Sequence, residues 1–249
     1  MTLLLVFICA AAFAFDADTG SINYYTECAD NAEYAALLKH VFDDEGLDGA
    51  LELYAVLAGT VHTYGYEQWV QDLFVARAAL IVGRYANDEG NEAVARAYLN
   101  AADSLIAQGR ADGAPESAAG VLEALSTSFW YLVDGSISKG LAFGRIVGDL
   151  WDEYPEDFHV LLLTADKYLH SPGIAGGNKK KGLEYYQFAE AVALENGCAV
   201  WDMFSIYAGL AVGYDKNKEE ELALEYAYLA DEIYTADVNV VEIIEEYGN

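Results

Sequence analysis

Four stretches of this chain carry one residue pattern: residues 95–105, 140–150, 182–192 and 223–233, which begin 45, 42 and 41 residues apart. Each opens on Ala or Gly and sets an aromatic residue three positions on (Tyr98, Phe143, Tyr185, Tyr226). Apolar residues return at the sixth position after the start (Ala101, Ile146, Phe188, Leu229), the seventh (Ala102, Val147, Ala189, Ala230) and the tenth (Leu105, Leu150, Val192, Ile233). The first, fourth, eighth and eleventh residues of a helical segment share one face, so one amphipathic helix is written four times. A unit of this kind cannot bury its apolar face alone and stacks on its neighbours. The expected fold is therefore all-α: an α-solenoid of about four to five helix–turn–helix pairs.

The segments between the repeats supply the partner helices. Helical patterns run over residues 30–43 and 48–58, with Gly46 and Gly49 as punctuation, and over 67–85 before the break at Asn87-Asp88-Glu89-Gly90-Asn91. Residues 115–133 and 137–154 form the next pair, with Pro115 in the first turn and Asp134-Gly135-Ser136 as connector. Pro155 ends that pair; 156–170 reaches its partner through the loop 171–177, and 200–214 pairs with 218–236 ahead of a short acidic tail. With 54% hydrophobic residues there is material for a continuous core, and 15–249 reads as one helical-repeat domain.

Residues 1–14 form an apolar run closing on Ala12-Phe13-Ala14, a small-x-small cleavage signal too short to span a bilayer. No Lys or Arg precedes the run. The expectation is a signal peptide, a periplasmic or secreted mature protein and no membrane span in the mature chain. Cys9 lacks the small residues that precede a lipid-attachment site. Cys28 and Cys198 then remain; they carry no metal or redox spacing and are expected as separate buried thiols.

Forty-one acidic residues against 13 Lys and Arg give a formal charge of −28, which opposes nucleic acid and anionic lipid as partners. Basic protein surfaces, cations and neutral ligands remain.

The repeat helices resemble the second helix of a tetratricopeptide repeat: a small residue, a bulky one four positions on and another small one at the seventh. The likeness is best at Gly182-Leu183-Glu184-Tyr185-Tyr186-Gln187-Phe188-Ala189 and Ala223-Leu224-Glu225-Tyr226-Ala227-Tyr228-Leu229-Ala230. Ala208-Gly209-Leu210-Ala211 looks like the family's first-helix core and Tyr154-Pro155 like its closing proline, so the resemblance covers about residues 67–237. The spacing exceeds the family's ~34 residues, Gly144 and Ala227 replace its usual large residue, and the 171–177 loop is an insertion. An exported helical array with divergent units also resembles the periplasmic T-component proteins of TRAP-type transporters. That resemblance implies partner proteins and an apolar ligand.

No residue set carries catalysis. Asp16, Asp18 and Glu27 take calcium-loop positions, but Gly20 and Ser21 spoil the loop. Lys179, Lys180 and Lys181 follow Asn178 at a helix start; we read Asn178 as the cap, Gly176 and Gly177 as the turn and the lysines as solvated. His40, His62, His159 and His170 are scattered without a zinc pattern, and Ser126, Ser128 and Ser136 lack a nucleophile elbow. No cofactor and no metal are expected. The 19 tyrosines suit recognition, since each buries area and keeps a hydroxyl. Trp201, Tyr207 and Tyr131 lie on first helices of units, which line the concave side in tetratricopeptide proteins, and are the candidate binding residues.

Three readings follow. In the first the concave face binds a protein or peptide with basic or aromatic surface. In the second the helices enclose an apolar cavity and carry a small ligand. The third, a hydrolytic enzyme, requires a pocket of convergent, desolvated carboxylates or a His pair.

Overall fold

The computed structural model describes residues 31–248. The expected signal segment 1–14, Cys28 and the spoiled calcium loop lie outside the described residues. Among the described residues eleven α-helices follow one another: α1 (Ala32–Phe42), α2 (Leu47–Thr60), α3 (Gln68–Asp88), α4 (Glu92–Ala111), α5 (Glu116–Asp134), α6 (Ile137–Glu153), α7 (Phe158–His170), α8 (Lys179–Asn196), α9 (Val200–Lys216), α10 (Glu220–Asp231) and α11 (Val238–Tyr247). Single 3₁₀ turns sit at Val61–Tyr64 and Gly173–Ala175, and there is no strand among the described residues. None of the described helices is long and apolar enough to cross a membrane.

Consecutive helices pack as antiparallel pairs, α3 with α4, α5 with α6, α7 with α8 and α9 with α10, which makes the array a helical-repeat solenoid. The repeat pattern explains the burial. The seventh position after each repeat start, Ala102, Val147, Ala189 and Ala230, is fully buried in all four units. The aromatic at the third is half-buried every time, and in three units its ring meets another on a neighbouring helix: Tyr98 meets Tyr54, Tyr185 meets Trp151, and Tyr226 stacks on Tyr214. One unit departs from the rule. Gly140 and Gly144 of α6 are only partly covered, whereas Ala95, Gly182 and Ala223 at the repeat start and Leu99, Tyr186 and Ala227 four positions on are buried.

Helix α3 is apolar nearly all round because it is surrounded, touching α1, α2, α4 and α5. Helix α1 is held by the Asn31 cap, whose side chain accepts from the Tyr34 N–H at 2.8 Å. Tyr34 packs on Phe74 of α3 and Trp201 of α9, while Phe42 meets Phe204 of α9 and stacks on Tyr234. Helix α1 therefore crosses the inner side of the array and joins its first unit to its last. Asn178 caps α8 as expected, accepting from Lys181 N–H at 3.1 Å, and Gly176 takes the left-handed φ of 86° that the turn needs. Lys181 is not merely solvated: its ammonium donates to the Tyr168 hydroxyl at 2.8 Å and lies 4.2 Å from that ring's centroid.

The acidic tail is a correction. Residues 238–247 form α11, capped by Asp237 and burying Val240 and Ile243 against α9 and α10. Its three glutamates conceal an apolar stripe on the opposite face.

With 13 cations for 41 carboxylates, most acidic residues have no cation to pair with. The melting temperature should accordingly rise as salt goes from about 0.01 to about 0.1 M, where the Debye length falls from ~30 to ~10 Å. Differential scanning calorimetry across that range checks this, and a flat or falling profile would show the repulsion to be compensated locally.

Candidate functional site

The first helix of every unit faces inward, and with α1 these helices surround a cavity of about 230 Å³. Each contributes one stripe at helical spacing: Tyr34, Leu38 and Phe42 from α1, Arg77, Leu80 and Ile81 from α3, Val121, Leu125 and Phe129 from α5, His159, Leu162, Leu163 and Asp166 from α7, and Trp201, Asp202, Phe204 and Ser205 from α9. The walls are aromatic and aliphatic. The polar groups gather on the α3, α7 and α9 sides.

Asp202 is the centre of that polar wall. Its side chain is 2% exposed; one oxygen accepts from Arg77 at 3.2 Å and the other faces His159 Nε2 at 3.1 Å. Burial pushes its carboxyl upward, but the charges and hydrogen bonds of His159 and Arg77 outweigh burial and hold it below the usual carboxylate range. Arg77 also lies 6.0 Å from the Trp201 ring centroid. Tyr34, fully buried beside this group, is pushed up to about 12, mainly by burial, against the lowering effect of the guanidinium. One carboxylate thus ties helices from the first, third and fourth units together.

Asp166 stands apart at the cavity's edge. Half of its side chain is open; burial raises its carboxyl, opposed by His170 at 3.9 Å and by the Tyr186 hydroxyl, which donates to it. Cys198, a partly buried free thiol, is pushed up to about 12 by burial and then by the Asp202 charge, so it is a poor nucleophile. Ser205 donates to the Trp201 carbonyl one turn back at 2.9 Å. Among the described residues no three His, Cys, Asp or Glu side chains converge as metal ligands.

The three candidate binding residues separate. Trp201 lines the cavity but is 5% exposed, packed edge-on against Tyr34, so it is wall and core together rather than an open groove residue. Tyr207 points into the packing of α9 on α10, with its ring 6.0 Å from that of Tyr226. Tyr131 is exposed at the far end of α5, beside Gly140. The residues that organise the cavity, Arg77, His159 and Asp202, were missed. A signal was there: each is a lone polar side chain in an apolar run, FVARAALIV, FHVLLL and AVWDMF. Fold and site together define an all-α helical-repeat protein with a partly enclosed, aromatic-walled inner cavity. Comparison with protein-family models, with curated proteins and with solved structures finds no match.

Proposed function

We propose that this chain is a non-enzymatic binding protein whose inner cavity holds a small, mainly apolar ligand. The observation that carries the reading is the partial enclosure: five helices line the space, and α1 lies across the inner side that a bound peptide would need. Apolar lining with a few fixed polar groups at one wall is the ordinary make-up of a ligand pocket. A 150 Å³ apolar cavity holds benzene, so by proportion this one takes about nine non-hydrogen atoms, with more outside its open edge. The resemblance to periplasmic T-component proteins points the same way, toward an exported carrier serving a transporter. A partner protein presenting basic or aromatic surface fits the outer, acidic face in this reading.

Native mass spectrometry of protein purified from its source should reveal a bound small molecule. Single-ring and short-chain apolar compounds should raise the melting temperature, by about 2.7 kcal/mol of stabilisation at a hundredfold excess over Kd, and do so almost independently of salt. Leu125→Trp, which fills the cavity from its α5 wall, should abolish the shift while leaving the helical spectrum intact. A chain that responds to no such compound, yet captures a protein partner in a salt-sensitive crosslinked pull-down, would overturn the carrier reading in favour of a peptide-binding one.

A further inference from the structure

The charged side chains that line the cavity are not evenly matched. Arg77 and His159 both face Asp202, at 3.2 and 3.1 Å, so these three form one group on the wall. Asp166 lines the same cavity outside that group. Among the described residues no Lys or Arg pairs with it, and its ionic neighbour is His170 at 3.9 Å. That neighbour does not cancel the charge. Burial lowers the His170 imidazole; the Asp166 charge opposes this, Lys216 adds to it, and the net shift is downward, which leaves the ring neutral at neutral pH.

Tyr186 fixes the carboxylate in place. Its hydroxyl donates to Asp166 Oδ1, and its ring lies against Gly209 of α9, where any Cβ would strike it. His170 addresses the same oxygen. Oδ2 accepts no hydrogen bond from the described residues. A positioned carboxylate with one open oxygen thus stands at the edge of an apolar space.

We propose, resting on the carrier reading, that the ligand is a small amine, with its ammonium group on Asp166 and its apolar body inside the cavity. Three features favour a cation here over an anion or a neutral head group. The first is the unmatched carboxylate: an ammonium donates to Oδ2 and pairs with the charge, and draws the carboxyl back down from its raised state. The second is the wall, where the rings of Tyr34, Phe42, Phe129, Trp201 and Phe204 present quadrupoles that attract cations. The third is the field of a chain of charge −28, which gathers cations and repels anions. Position matters as well. A charge carried to the bottom of an apolar cavity loses its hydration, whereas Asp166, with half of its side chain open, lets the ammonium keep part of its water.

Isothermal titration calorimetry of the full chain with phenethylamine, 2-phenylethanol and phenylacetate compares three head groups on one apolar body, each ligand having about nine to ten non-hydrogen atoms, the size such a cavity takes. Phenethylamine should bind at least tenfold tighter than 2-phenylethanol, with phenylacetate weakest, and its advantage should shrink as salt goes from about 0.01 to about 0.15 M. Asp166→Asn keeps an acceptor for Tyr186 and should bring the amine-to-alcohol ratio to about one. Leu125→Trp should remove amine binding, which places the amine in the cavity. The wild-type ranking decides even where Asp166→Asn does not fold. An alcohol that binds as well as the amine, or phenylacetate binding tightest, would overturn the proposal and leave the carrier reading standing, because the cavity would still hold an apolar body. An amine advantage that survives Asp166→Asn, or amine binding that survives Leu125→Trp, would overturn it too. If none of the three compounds binds, the carrier reading fails and the amine proposal fails with it.

Discussion

An Asp202→Ala chain should unfold about 3–5 kcal/mol more easily than the wild type at neutral pH, the cost of removing one partner from a buried ionic group. The loss is large because two cavity-wall groups lose this buried carboxylate at once: Arg77, with 18% of its side chain exposed, and His159, with 5%. In a chain of this length that corresponds to a fall of about 6–20 °C in melting temperature. The pH dependence follows from the direction of the Asp202 shift. Its carboxyl lies below its unfolded value of about 3.9, so the folded state favours the ionised form. The stability it contributes is present above that unfolded value and is lost as pH falls through the lower folded value. Asp202→Asn removes this component, so the gap between wild-type and variant melting temperatures should narrow as pH drops below about 4. Thermal melts of the two chains between neutral and acid pH are the measurement. A gap that persists unchanged into acid, or no gap at neutral pH, would mean that the carboxylate does not tie the units together.

The second large effect is at Gly182. A Cβ there would lie 2.7 Å from the backbone nitrogen of Leu169 and 2.9 Å from its Cα, so the first atom of any side chain strikes helix α7 itself. Overpacking costs about 1–3 kcal/mol when side chains yield, and here backbone must move. Gly182→Ala should therefore fall at the top of that range, a drop of about 6–12 °C. Gly144, four positions after the start of its own repeat, is the contrast. The space around it is open, and Gly144→Ala should be neutral or up to about 1 kcal/mol stabilising through helix propensity. Denaturant melts of both variants test the pair; equal effects would show that the repeat register assigned to α6 or α8 is wrong.

Much of the helical layout was legible because helical burial is periodic and local. Helices α3 to α10 lie where the repeat pattern and its punctuation put them, and the residue seven positions after each repeat start is buried in every unit. Gly182 was readable as a close approach for the same reason: a small residue where the others carry Ala or Gly marks a helix contact. Helix α11 was equally legible and was passed over. Asp237 ahead of Val240 and Ile243 is a cap followed by an apolar stripe, and the glutamates around it drew attention to charge instead.

The cavity belongs to the tertiary structure. Arg77 and Asp202 stand 125 residues apart, and His159 is 43 from Asp202. Each was visible as a lone polar residue in an apolar run, but nothing in the runs says that the three share a wall. That depends on how far each helix pair turns relative to the last, a rotation that accumulates over four units and is set by side-chain packing at each contact. The same holds for α1: its pattern announces a buried helix, and only the curvature of the array places Tyr34 on Trp201 and Phe42 on Phe204. Local periodicity determined which faces are apolar in this protein. The summed twist of the stack decided which of them meet, because packing angles couple residues that no window along the chain contains together.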